Sequence, residues 1–401
     1  MNETASFPMR ADSQARPLAS EASGRGIGVV ERSHTGSKTP ELIASIKEIA
    51  DAPDDAPLSL AGPHYTDQSL FEHECATVLR DAWHYLGRED EIPKPGDYFT
   101  TRLLSEPLLI VRGDDDAIRV MANVCRHRGM PLVEGTGSQK RFVCRYHAWS
   151  YARDGALASA PRMPKERVKD CRLHEFRSEI WRGGIYVNLS GDADPLGPQL
   201  GKLDDLIGVY DQSKMVHAHT EEEVWACNWK LLVENFMEAY HLSVVHPETL
   251  HPYTPTGLSK YALKDDAFTS YVAHYPDDIE QRFTGAPGLT REERYQSRLF
   301  CLFPCQVASQ SAGILVAFAL QPTKVDEVKV RWTLSAYEGE MDAPRLAEAV
   351  DLWREVNRED REKLEDMQIA LSSTAATSGP LGPPDLEGTI QDFQRWLASR
   401  L

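Results

Sequence analysis

Cys125-Arg-His127 and Cys144-Arg-Tyr-His147 stand sixteen residues apart, and each arm offers one thiolate and one imidazole. Small residues follow both arms, Gly129 and Ala148, which leaves room for the backbone to turn close to a bound centre. A Cys2His2 zinc site usually pairs Cys with Cys and His with His along the chain. Mixed arms instead fit a [2Fe-2S] centre with two Cys on one iron and two His on the other. The surrounding sequence reads as short strands: Gly96–Leu104, Pro107–Val111, Ala117–Val124, Arg141–Cys144 and Gly184–Leu189, with turn signals at Gly113–Asp116 and Asp154-Gly155. This pattern predicts a small antiparallel β domain over residues 83–190.

The rest of the chain sets that domain in context. Residues 1–37 lack apolar periodicity and are expected to form a mobile extension, followed by N-terminal helices over 38–82 built on Leu42, Ile43, Ile46 and Ile49 and on Asp67 to Trp83. Residues 191–401 mix helices and strands, so the whole reads as an α+β fold with an inserted β domain. A net charge of −17 argues against nucleic acid as a partner, and no apolar run reaches the roughly 18 residues of a membrane span. Seven scattered cysteines and no secretory leader predict a cytoplasmic protein.

Asn123-Val-Cys125-Arg-His127-Arg-Gly129 and Cys144-Arg-Tyr-His147-Ala-Trp149 resemble the two signatures of the Rieske oxygenases, the family of ring-hydroxylating oxygenase α subunits. Arg145 and Ala148 stand where Pro and Gly are frequent, and neither change touches a ligand. The resemblance implies a Rieske cluster held by Cys125, His127, Cys144 and His147. It also implies a helix-grip catalytic domain with a mononuclear non-heme Fe(II) at residues 191–401.

A second site is expected in Asn228-Trp-Lys-Leu-Leu-Val-Glu234-Asn-Phe-Met-Glu238-Ala-Tyr-His241-Leu-Ser-Val-Val-His246-Pro247. His241 and His246 are five apart, so they converge only if the helix ends or distorts between them, and Pro247 supplies a stop. Two His and one carboxylate suit a non-heme iron. Between Leu346 and Leu371 a helical stripe of Leu346, Val350, Trp353, Val356, Leu364, Met367 and Leu371 has one gap, filled by Asp360. An unpaired Asp on a core-facing stripe is costly unless a cation or hydrogen bonds satisfy it, a helix N-cap or buried salt bridge being the alternatives to a metal, and Glu359-Asp360 looks like the family's carboxylate-ligand segment. Glu359, Glu362, Glu365 and Asp366 fall off the stripe and read as a solvated face. Glu238, on the same helix face as His241, sits where the family usually has an Asp linking iron and cluster ligands across a subunit boundary; Glu occurs there in oxygenases of quaternary ammonium compounds.

The resemblance implies a terminal oxygenase working with O2, a small organic substrate and a separate NAD(P)H-dependent reductase, in a head-to-tail homotrimer. Monooxygenation or oxidative demethylation of a methylated compound is the leading expectation; dihydroxylation of an aromatic acid and a Rieske electron carrier are the alternatives. His217-Ala-His219 reads as a solvated strand end and Cys301 and Cys305 as core thiols. No dinucleotide fingerprint is present, so electrons must come from a partner. Aromatics between Pro252 and Gln321, among them Tyr253, Tyr261, Phe268, Tyr271, Tyr275, Phe300 and Phe303, are expected to wall the pocket or fill the core.

Overall fold

The computed structural model describes residues 38–281 and 283–401, and the extension expected over residues 1–37 lies outside them. The alternating runs after Trp83 form a seven-stranded sheet in which Trp83–Arg88 pairs with Gly184–Asn188, bringing the two ends of the segment together. Glu175–Trp181, Ile118–Ala122, Glu106–Arg112, Asp97–Leu103 and Thr136–Ser138 follow in spatial order, every pair antiparallel. Three short strands, Phe142–Val143, Ser150–Tyr151 and Leu157–Ser159, make a second sheet whose first turn is the Cys144–His147 arm. The predicted turns occur where expected: Gly113 N–H donates to Ala117 O at 2.8 Å, and Gly155 takes φ +83°.

A second seven-stranded antiparallel sheet places its first strand, Met215–Trp225, beside its last, Glu327–Tyr337. Ile314–Lys324, Gln306–Gln310, Gln296–Leu302, Phe268–His274 and Ser259–Asp265 then follow as a meander. Ile314–Lys324 is buried on both faces, and the two-residue period divides it between two cores. Val316, Phe318 and Leu320 join the core shared with the helices, while Leu315, Ala317 and Ala319 pack with Trp83, Tyr85 and Tyr186.

Helices Thr39–Ala50, Trp229–Phe236, Ala343–Ala370 and Pro384–Arg400 supply the other side of the first of these cores. The long helix starts at Asp342, whose side chain accepts from Arg345 N–H at 3.0 Å, with a Pro in its first turn. The helix expected from Asp67 to Trp83 is broken: Gln68–Ala76 and Val78–Asp81 flank Thr77 at φ −116°, and Trp83 already begins a strand. The result is an α+β fold of antiparallel sheets and long helices, with the helix-grip arrangement in its larger part.

Candidate metal centres and cavity

The two Cys/His arms are copies of one loop. In each, the Cys carbonyl accepts from the residue four ahead, Gly129 N–H at 2.9 Å and Ala148 N–H at 3.0 Å. The Cys N–H donates to the carbonyl five ahead, Met130 at 2.9 Å and Trp149 at 2.7 Å. That closure requires a left-handed residue, and Gly129 and Ala148 have φ +77° and +57°; for Ala the conformation costs about 1–2 kcal/mol. Cys125 and Cys144 are buried, whereas His127 and His147 are exposed with their Nδ1 atoms 3.1 Å apart. Trp149 stacks on His127 with centroids 4.9 Å apart. Two thiolates from below and two converging imidazole nitrogens form the donor set a [2Fe-2S] Rieske centre requires.

Tyr151 was not foreseen. Its hydroxyl accepts from Arg126 N–H at 2.9 Å, which leaves its own proton for Cys125 Sγ at 3.3 Å. Burial and the neighbouring Cys125 push its pKa up, so it stays a donor. A hydrogen bond to a ligating sulfur favours the reduced, more negative state. Tyr151→Phe is therefore expected to lower the cluster's reduction potential by ~20–65 mV, the one-electron equivalent of roughly 0.5–1.5 kcal/mol. Redox titration followed by visible absorption checks this, and an unchanged midpoint would refute it.

The second set of donors comes from distant parts of the chain. Helix Trp229–Phe236 ends well before His241, and His241 and His246 flank the single turn Leu242–Val245. The backbone thus changes course ahead of the first histidine, earlier than the Pro247 stop suggested. Asp360 reaches the pair from the long helix: its Oδ1 lies 3.0 Å from His246 Nε2 and 3.6 Å from His241 Nε2. One donor atom from each of the three residues falls within 4.8 Å of the others. His246 Nε2 and Asp360 Oδ1 are buried and without hydrogen-bond partners among the described residues. Two orphaned buried donors converging with a third are expensive without a cation, so the residues present fit a mononuclear metal, and the two-His-one-carboxylate set suits Fe(II).

Both imidazoles are held from behind by carboxylates. Glu238 bonds His241 through Nδ1, and its other oxygen accepts from His241 N–H at 3.1 Å. Its segment is not helical, so it meets His241 through a loop and not through a shared helix face. Glu359 bonds His246 Nδ1 at 2.7 Å and accepts from Thr249 Oγ1 at 2.7 Å. This corrects the expectation of a solvated Glu359, as only 14% of its side chain is exposed. Glu365 also leaves the solvated face to accept from Ala226 N–H at 3.0 Å, while Glu362 pairs with Arg358 as a surface residue. Carboxylates on Nδ1 leave both Nε2 atoms facing the metal position. For Glu359→Gln we expect iron affinity to fall roughly 10- to 100-fold with the cluster spectrum intact, as measured by iron-to-protein ratio during dialysis. Full retention would show that Glu359 supports nothing at the metal.

The Asn-Trp-Lys run anchors this assembly. Asn228 accepts from Lys230 N–H at 3.0 Å as the helix cap, and its own N–H donates to Gln368 Oε1 at 2.9 Å, tying the helix carrying Asp360 to the histidine segment. Lys230 Nζ donates to both oxygens of Glu74, at 2.7 and 2.8 Å, and Trp229 Nε1 to the same carboxylate at 3.1 Å. Removing one partner of so deeply buried a pair costs roughly 3–5 kcal/mol. Glu234, the other carboxylate of the run, accepts from Tyr65 OH at 2.7 Å away from the metal donors; burial pushes its pKa up to about 7, against the pull of Tyr65 and Lys230.

His241, His246 and Asp360 line a cavity of about 710 Å3. Tyr253, Tyr271 and Tyr275 from the expected wall line it too, with Phe283, Phe318 and Trp353. Tyr261 instead donates to Asp392 at 2.7 Å, and Phe268, Phe300 and Phe303 are core residues. Arg294, Arg345, Glu280 and Glu348 bring charge of both signs to the same cavity. His217 and His219 lie inside a strand and not at its end; a bulge separates them, and each has its own partner, Thr220 and Glu221. Cys301 and Cys305 are buried thiols.

Residues 82–177 match the family model described as Rieske [2Fe-2S] domain, and residues 211–401 that of the ring hydroxylating alpha subunit catalytic domain. The chain is 28% identical over 390 residues to the glycine betaine monooxygenase oxygenase subunit of Chromohalobacter salexigens, covering 86% of each. It is 32% identical over 191 residues to the carnitine monooxygenase oxygenase subunit of Acinetobacter baumannii, 46% of this chain and 51% of that one. In fold it resembles the quaternary ammonium Rieske monooxygenase CntA, at 23% identity and TM-score 0.76 over 88% of this chain and 98% of the other. Naphthalene 1,2-dioxygenase from Rhodococcus gives the same TM-score at 18% identity, over 91% and 98%.

Proposed function

The chain belongs to the Rieske non-heme iron oxygenases, and from that membership we propose that it is the terminal component of a multi-component monooxygenase acting on a methylated ammonium compound. The observation carrying the reading is the convergence of His241, His246 and Asp360 at the wall of an aromatic-lined cavity. We assign the mononuclear iron to these three residues and the cluster to Cys125, His127, Cys144 and His147. When bound, the cluster supplies single electrons and the iron activates O2; one oxygen atom enters a C–H bond of the substrate and the other leaves as water, consuming two electrons and two protons. The chain's own residues orient both imidazoles through Glu238 and Glu359, and the cavity holds the substrate beside them away from bulk water. Tyr253, Tyr271, Tyr275 and Trp353 suit a quaternary ammonium through cation–π contact, and Arg294 and Arg345 suit a carboxylate on the same molecule.

The electrons come from a separate reductase, which we assign to the NAD(P)H-dependent class. The assembly in this reading is a head-to-tail homotrimer, a heterologous ring that closes. Its support is the exposed Met130, Val143 and Tyr146 around one set of donors and the exposed Tyr240 and Val244 beside Glu238. The domain limits 38–82, 83–190 and 191–401, and a cytoplasmic setting, belong to the same proposal. No helix among the described residues is long and apolar enough to cross a membrane.

Substrate-dependent O2 uptake by the reduced protein tests the reading, with carnitine- and betaine-type compounds set against simple aromatic acids. Uptake with the former and release of a demethylated or cleaved amine is expected. Uptake confined to aromatic acids would transfer the function to ring dihydroxylation, the activity class of the Rhodococcus jostii biphenyl 2,3-dioxygenase α subunit, 33% identical over 204 residues.

A further inference from the structure

Charge is distributed unevenly along this acidic chain. Residues 126–177 hold twelve Lys and Arg against five Asp and Glu, a net of +7 in a protein of total −17, so the remainder carries −24. Arg153 and Arg177 are spent on Asp114 and Glu179. Arg126, Lys165, Arg167 and Lys169 are exposed and make no ion pair among the described residues. Arg126, Arg167, Lys169 and Arg172 line one groove of about 530 Å3 together with Glu166, Asp170 and Glu175, the last of which faces Arg119 at 3.9 Å, and Arg126 directly follows the buried Cys125.

Two surfaces of different character therefore lie close to the cluster donors. One is apolar, with Met130, Val143 and Tyr146 exposed at the arms themselves; that chemistry suits a lasting contact between copies of the chain. The other is the cationic groove beside Cys125. Unpaired surface cations add little to stability, yet they raise the encounter rate with an oppositely charged protein and weaken as salt rises. An electron donor must meet the cluster briefly, leave, and return for the second electron, and a steered, salt-sensitive contact suits that cycle.

The geometry points to the groove formed by Arg126, Arg167, Lys169 and Arg172, with the adjoining turn Lys165–Arg167, as the docking surface for the electron-donating protein, which presents an acidic face there. This rests on the oxygenase reading above and specifies its partner.

The test is stopped-flow reduction of the holoenzyme cluster by a reduced plant-type [2Fe-2S] ferredoxin of acidic surface, with photoreduced deazaflavin as an uncharged small donor. For Lys165→Glu/Arg167→Glu/Lys169→Glu, the ferredoxin rate at low salt should fall roughly 10- to 1,000-fold, the range of electrostatic steering. The wild-type rate should fall with salt towards the variant's. Deazaflavin reduction, the visible cluster spectrum and the oligomeric mass should not change. A wild-type ferredoxin rate that is absent or indifferent to salt overturns the assignment, as does a variant as fast as wild type. A changed oligomeric mass overturns it too and gives the groove to a second copy of the chain. Failure of the oxygenase reading looks different: no Rieske spectrum, or no bleaching by deazaflavin, in the wild type.

Discussion

Replacing Asp360 with alanine is expected to remove the mononuclear iron and lower turnover by more than about 100-fold, the upper end for loss of a merely supporting contact. The cluster spectrum should persist, because Asp360 touches none of the residues around the Cys/His arms. Iron analysis should read two irons per chain where the wild type holds three. Metal-free Asp360→Ala should fold as well as metal-free wild type. The carboxylate is buried, with an oxygen that finds no hydrogen-bond partner, so without a cation it burdens the fold. Thermal melts of the two apo-proteins check this, and a large drop in the variant would mark Asp360 as structural instead. Retained turnover with three irons would end its assignment as a ligand.

Glu238→Gln should leave both metals in place and slow reoxidation of the reduced cluster, in the presence of substrate and O2, roughly 10- to 100-fold. That is the kinetic equivalent of losing a charge-assisted hydrogen bond of about 1.5–3 kcal/mol. Glu238 already spends one oxygen on His241 Nδ1 and shares the other with two backbone N–H groups, at Tyr240 and His241. Glutamine keeps the shape and can keep one of these bonds, but it lacks the charge that stabilises an imidazole whose metal partner changes oxidation state. Single-turnover absorbance at the cluster band measures the rate. Reoxidation as fast as wild type would leave Glu238 as a local brace for one loop.

What the sequence made legible follows from the range over which each site is encoded. The cluster arms are local: ligands, left-handed turn residues and flanking strands all fall between Ile118 and Ser159. Spacing alone could find them. His241 and His246 were legible as a pair, and Asp360 as a polar gap in an apolar stripe, although Met367 of that stripe proves to be 47% exposed. Glu359 was misread because helical periodicity assigns a face from the helix alone. The segment from His246 to Thr249, over a hundred residues earlier, packs against the flank that periodicity called solvent. Glu74 and Tyr151 were missed for a similar reason. Their importance lies in contacts to Lys230 across 156 residues and to Cys125 across 26, which the spacing of the donor residues does not reveal.

The same difference in range dictates an order of assembly. Twenty-three consecutive residues, Cys125 to His147, contain all four residues assigned to the cluster. Asp360 lies 114 residues beyond His246 and enters place on a helix fastened to the histidine segment through Gln368 and Asn228. On the ribosome the N-terminal part folds first. The residues assigned to the cluster are thus synthesised long before the third residue assigned to the iron, although Trp83, Tyr85 and Tyr186 of their domain complete their core only with Leu315, Ala317 and Ala319 of the later sheet. The Asn228–Gln368 hydrogen bond thus makes placement of Asp360 depend on docking of the helix Ala343–Ala370 against the histidine segment.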